Sequence, residues 1–179
     1  MKKLSGFLIV VLFAMLTVAA WGYANRPTSE PALPRVIHGF AFQPYQKDQD
    51  AIAGEDPTSA QIDADLKLLA GTTRAVRTYS SIGTLGEIPA LARKHGLKVM
   101  LGSWIDSDRE RNDREVEAAI RLANTNRNVT RILIGNEVVL RGDLPVEDLI
   151  AHLDRVRAAT KQPVSTAEPW HVWIKHPEL

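Results

Sequence analysis

From Val36 onward, short apolar runs alternate with longer stretches in which apolar positions recur every three or four residues. The short runs are "VIHGFAF", "AVRTYS", "LKVMLGSW", "VTRILIG" and "QPVSTAE", and each has the length and β-branched or aromatic content of a strand. The stretches between them read as helices. In "QIDADLKLLAG", Ile62, Leu66 and Leu69 share one face, and Gly71 is placed to end the helix. Thr84 and Glu87 have capping-box spacing for a second helix ending at "RKHG", with Pro89 pushing its start a residue or two later. Val116, Ile120 and Ala123 form the stripe of a third helix. Pro145 opens a fourth, whose buried face is Leu149, Leu153 and Val156. "WHVWIKHPEL" reads as a loop entering another helix.

Strand and helix in strict alternation predict a parallel sheet with helices outside it. Five β units are visible in 179 residues, whereas a closed eight-stranded barrel takes roughly 250. Two folds fit that count: a small open doubly wound sheet, or the first five β/α units of a (β/α)8 barrel. The final "KHPEL" carries no helix stop signal and no polar tail, which favours the barrel.

The first 24 residues follow a different pattern. "MKK" precedes an unbroken apolar stretch, densest from Phe7 to Ala20, which matches a signal-peptide core. Gly22 and Ala24 are small where a signal peptidase would cut, yet Gly6 to Tyr23 is also just long enough to remain as a membrane anchor. With Lys2 and Lys3 held inside, either reading exports the remainder toward the periplasm or cell envelope. Residues 25–35, "NRPTSEPALPR", read as a Pro-rich linker, and the folded domain is expected over 36–179.

Composition narrows the function mainly by exclusion. A net charge of +1 without blocks of like charge gives no electrostatic footprint for nucleic acid. The absence of cysteine removes thiolate catalysis, disulfides and cysteine metal sites. His171 and His176 are five apart, unlike a helical zinc pair, and His38, His95 and His152 have no evident metal partner, so no metal is expected. "GTTRAVRTYSSIGTLG" lacks the dinucleotide fingerprint, and neither a Walker loop nor a Gly-x-Ser-x-Gly elbow occurs. No cofactor is implied. The sequon at 128–130, "NVT", is expected to be idle.

Candidate chemistry collects where a parallel α/β fold places its sites, at the C-terminal ends of the strands. Those ends read Phe42 and Tyr45, Tyr79, Trp104, Asn136 and Glu137, then Glu168, Trp170 and His171. Aromatic rings beside carboxylates suit a carbohydrate, since ring faces pack on sugar C–H groups while polar tips take the hydroxyls. Hydrolysis of a glycosidic bond needs one carboxyl group to protonate the leaving oxygen and a second as nucleophile or base. Glu137 suits the first role, with Asn136 hydrogen-bonding the sugar beside the scissile bond. Glu168 reads equally well as a ligand contact or a helix-start charge. Tyr79, Trp104 and Trp170 could also be packing aromatics, a role to which Tyr45 and Trp173 are assigned outright.

"RILIGNEVVLRG" resembles the strand-four signature of family 17 glycoside hydrolases, the β-1,3-glucanase family. "AVRTYSS", "KVMLGSWI" and "QPVSTAEPW" resemble its second, third and fifth strands, and the likeness runs from about Val36 to Leu179. It is nearest to the bacterial branch associated with β-glucan synthesis and remodelling. The resemblance implies a (β/α)8 barrel and a retaining two-carboxylate mechanism on β-1,3- and also β-1,6-linked glucans. It makes Glu137 the acid/base and places the nucleophile on a later strand, outside these 179 residues. A chain lacking that nucleophile would instead bind glucan without turnover or be an inactive remnant.

Overall fold

The structure, a computed structural model, describes residues 2–32, 34–51 and 53–179, which form two units, Met1–Pro34 and Arg35–Leu179. The first unit holds α1 (Lys2–Ala24), followed by extended chain. Its span Gly6–Ala24 has a mean hydropathy of 2.2 and none of it is buried, so it is long and apolar enough to cross a membrane. The Arg26 guanidinium lies over the Tyr23 ring at 4.5 Å from its centroid.

The second unit begins with β1 (Phe40–Ala41) and α2 (Ser59–Leu69), then β2 (Ala75–Arg77). A 3₁₀ turn (Gly83–Glu87) leads into α3 (Ile88–Lys94), and β3 (Lys98–Ser103) and α4 (Arg109–Thr125) follow. β4 (Val129–Asn136) runs into a one-turn helix, α5 (Val138–Arg141), before α6 (Val146–Ala159), β5 (Val164–Ala167) and α7 (Trp170–Lys175). The sheet is parallel throughout, in the order β1-β2-β3-β4-β5.

That order decides between the two folds. A doubly wound sheet reverses direction at a switch point, whereas strands added always on the same side keep every crossover helix on one face. Burial follows accordingly. Val76, Val99, Leu101, Ile132 and Ile134 are at most 1% exposed and pack with Ile62, Leu66, Val116, Leu149 and Leu153 of the helices. Residues on the alternate positions, Arg77, Met100 and Leu133, are half-buried, and Lys98 and Arg131 are exposed. The fold is therefore five β/α units of the TIM-barrel type. β2 and β3 lie close at Gly102, where a Cβ would sit 2.0 Å from the Thr78 carbonyl oxygen.

One expected helix start is corrected. Thr84 and Glu87 form no capping box: they lie within the 3₁₀ turn, Thr84 Oγ1 is buried without a partner, and α3 opens with Pro89 in its first turn. The fixed φ of Pro89 suits a first turn, so the helix starts around it rather than at a side-chain cap. A capping box does form one helix earlier, between Thr58 and Gln61. The sequon asparagine is occupied as well, since Asn128 Nδ2 donates to the Pro89 and Leu97 carbonyls at 2.8 and 3.1 Å.

Candidate active site

β4 ends in two unusual backbone conformations. Gly135 has φ +82°, and a Cβ there would meet Val138 Cγ2 at 2.4 Å. Glu137 has φ +57°, the one positive φ outside glycine among the described residues. Such a conformation costs a side-chain-bearing residue roughly 1–2 kcal/mol, and it persists where the surroundings hold it. Here the Glu137 N–H donates to the Ala167 carbonyl at 2.7 Å, and the Glu137 carbonyl accepts from Arg141 N–H at 2.8 Å. The Glu137 side chain is exposed and, among the described residues, its carboxylate caps no helix amide.

Around it the strand ends are cross-linked by two arginines. Arg77, at the end of β2, donates from Nη2 to Asn136 Oδ1 at 2.7 Å, and its guanidinium carbon lies 4.6 Å from the Tyr79 ring centroid. With Oδ1 held, the Asn136 amide keeps its N–H groups for another acceptor. Arg141, at the end of α5, donates to the Asn136 carbonyl and, at 2.9 Å, to the Ile105 carbonyl. Its guanidinium lies 4.6 Å from the Trp104 ring centroid and pairs with Asp143 at 2.6 Å. Trp104 Nε1 is fixed in turn on Asp106 at 3.0 Å. Tyr79, Trp104 and Asn136 are thereby joined through two cations.

Glu168 occupies a different place. Its oxygens accept the backbone N–H groups of Val139 at 2.9 Å and Leu140 at 3.3 Å. A short helix leaves its first amides without internal partners, and a carboxylate there is doubly suited, by hydrogen bond and by dipole. Glu168 of β5 thus caps the helix that follows Glu137. Trp173 Nε1 donates to the Glu168 carbonyl at 2.9 Å. Trp170 is 74% exposed and stands edge-on to His171, with ring centroids 5.8 Å apart, separate from the Arg77–Asn136–Arg141 group. Tyr45 turns away to Asp56 at 3.1 Å; burial and the Asp56 carboxylate push its hydroxyl up to about 12.

Three of these roles were not apparent from sequence. Arg77 and Arg141 stand inside the quoted strand patterns, and Arg77 occupies the polar phase of an otherwise apolar strand. Glu115, on the stripe of α4, is fully buried; burial pushes its carboxyl up to about 7, opposed by Ser80, the Ser81 N–H, Arg111 and the Trp104 N–H. Among the described residues no group of His, Cys, Asp and Glu could hold a metal ion.

Residues 39–179 match the family model of the BtgE/BtgC glycoside hydrolase domain. The chain belongs to this family. The glucan 1,3-β-glucosidase of Schizosaccharomyces pombe is 34% identical over 122 residues, covering 62% of this chain and 38% of that protein. The Aspergillus flavus protein named probable glucan endo-1,3-β-glucosidase btgC is 25% identical over 175 residues, covering 85% of this chain and 26% of that protein. The chain thus spans well under half the length of these relatives. Among solved structures, the family 17 β-1,3-glucanosyltransferase of Rhizomucor miehei superposes with a TM-score of 0.58. Its active-site mutant in complex with laminaritriose gives 0.59, with 24% identity over 74% of this chain and 49% of that one. At that identity the likeness is one of fold, and it agrees with the barrel-type sheet.

Proposed function

We propose that this domain acts on β-glucans, β-1,3-linked and also β-1,6-linked, as a retaining glycoside hydrolase or transglycosylase with Glu137 as its acid/base. The observation that carries the reading is the Glu137 carboxylate itself. It stands exposed at the C-terminal end of β4, on a left-handed turn, beside an asparagine whose amide is fixed by Arg77. Family membership and the glucan-acting relatives support the substrate class.

In the proposed reaction a second carboxylate attacks the anomeric carbon while Glu137 protonates the departing glycosidic oxygen. Glu137 then takes a proton from water or from an acceptor sugar hydroxyl as the covalent intermediate is resolved. Water gives hydrolysis, and a sugar hydroxyl gives a new glucan linkage. The family resemblance places the nucleophile on a later strand, and Glu168, whose oxygens accept the Val139 and Leu140 N–H groups, is not given that role. Asn136, Tyr79 and Trp104 would contact the sugar next to the scissile bond, with Trp170 and His171 further along the chain of sugars. The apolar helix α1 would serve as a signal peptide or membrane anchor that exports the domain toward the cell envelope.

A second reading, glucan binding without turnover, is favoured by the Tyr79, Trp104 and Asn136 cluster, which offers two rings and an amide to a sugar. Incubation with laminari-oligosaccharides separates the two. New oligosaccharide products, abolished by Glu137→Gln, are expected of a protein that carries this domain together with the strand bearing the nucleophile. Quenching of tryptophan fluorescence by the sugar without any product from that protein would sink the catalytic assignment and leave the binding one.

A further inference from the structure

Behind the aromatic residues of the site lies a buried carboxyl group to which the proposed reaction gives no role. Glu115 of α4 has no exposed surface. Its Oε1 accepts the Ser80 hydroxyl at 2.5 Å, and its Oε2 accepts the Ser81 backbone N–H at 2.7 Å. The Ser81 hydroxyl donates to the Gly102 carbonyl at 2.9 Å and lies 3.1 Å from Ser103 Oγ. Ser80 and Ser103 both reach Glu115 of α4, Ser80 at its carboxyl and Ser103 at its backbone carbonyl, and their chain neighbours are Tyr79 and Trp104. The carboxyl group therefore holds the Ser80–Ser81 segment beside Tyr79, and the Ser81 hydroxyl passes that hold to Gly102 and Ser103, next to Trp104.

A purely hydrophobic residue would fill the same space at lower desolvation cost. What it could not supply is an acceptor for the buried Ser81 N–H, nor a directional hold on the chain beyond β2. The groups facing this carboxyl are few. From α4 comes Arg111, the one charged side chain acting on it among the described residues; from the β2 end, the Ser80 hydroxyl and Ser81 N–H; from the β3 end, the Trp104 backbone N–H. Protonated, the carboxyl can donate to Ser80 Oγ by rotation of that hydroxyl, while its other oxygen still accepts Ser81 N–H. Ionised, it accepts both hydrogen bonds but holds a charge in an enclosure with one cation nearby. Burial places the exchange between these states near neutral pH.

We propose that Glu115 is a positioning residue that sets Tyr79 and Trp104 for the sugar, and that it holds the Ser80–Ser81 segment more tightly as a carboxylate than as a neutral acid. The proposal rests on the reading of this end of the sheet as a β-glucan site. Its test uses the full chain with two readouts, one of which needs no sugar. Laminaritriose affinity is measured from about pH 6 to about pH 8 for the wild type, Glu115→Gln and Ser80→Ala. Wild-type affinity is expected to rise several-fold over that range, Glu115→Gln to show a flat profile, and Ser80→Ala to bind more weakly throughout. Without sugar, the Trp104 indole N–H resonance is expected to titrate near neutrality in the wild type and to stay fixed in Glu115→Gln. Parallel profiles for the wild type and Glu115→Gln would overturn the proposal. If Glu115→Gln fails to fold, unaltered affinity in Ser80→Ala does the same. A Trp104 resonance that titrates while no variant binds laminaritriose counts against the glucan reading and for the clamp.

Discussion

Glu137 combines a strained left-handed backbone with an exposed carboxylate that makes no cap hydrogen bond. The strain is held by the residue two places earlier. Gly135 has its own positive φ and leaves space that Val138 fills, so an added methyl group meets both an unfavourable backbone and a side chain at 2.4 Å. Gly135→Ala is expected to lower stability by about 2 kcal/mol or more, read from the midpoint of denaturant unfolding. An unchanged midpoint would mean that the turn relaxes freely and does not fix Glu137. At this scale the sequence was legible where chemistry and position coincide, as in Asn136 followed by Glu137 at the end of an apolar run. Arg77 and Arg141 were not, because a guanidinium's partners depend on which strands become neighbours, and their targets here include backbone carbonyls that carry no sequence signal.

At the scale of elements, α5 is the informative case. One turn of helix is unstable alone, since nucleation fixes several residues for a single hydrogen bond. It survives here because Glu168, arriving from β5, accepts two of its free amides. Glu168→Ala is expected to cost about 1–2 kcal/mol and to fray Val138–Arg141 without removing the Glu137 carboxylate, read from denaturant unfolding and amide exchange. Full retention of stability and of amide protection in α5 would contradict the cap. The longer helices were readable from their periodicity: Leu149, Leu153 and Val156 are fully buried on α6, and Ile62 and Leu66 on α2. Their starts were less so. Thr84 and Glu87 have the spacing of a capping box, but Pro89 decides where α3 begins. The very short β1 also falls below what the apolar run "VIHGFAF" leads one to expect; an isolated bridge from Ile37 to Thr73 is all that precedes Phe40.

For the whole molecule, alternation of strands and helices predicted the parallel sheet, but only the strand order separates a barrel-type sheet from a doubly wound one. Local periodicity cannot encode which side of the sheet each new strand joins. The same scale governs the pH dependence of stability. The Glu115 pKa is raised in the fold from 4.5 to about 7, so its contribution is full below pH 4.5 and is lost as pH rises through about 7. Between those values stability falls by about 1.4 kcal/mol per pH unit from this group, or about 3 kcal/mol in all. The difference between wild-type and Glu115→Gln unfolding free energies, followed across that window, is expected to show this slope. A constant difference would remove Glu115 as its source.

The bridge made by Arg141 carries one more implication. By holding the Asn136 and Ile105 carbonyls together while lying against Trp104, it locks the loops after β4 and β3 to each other before any ligand arrives. The ordering entropy of that surface is then met during folding rather than during binding. A ligand meeting such a surface would bind at a rate set by encounter and orientation, with no loop closure to wait for.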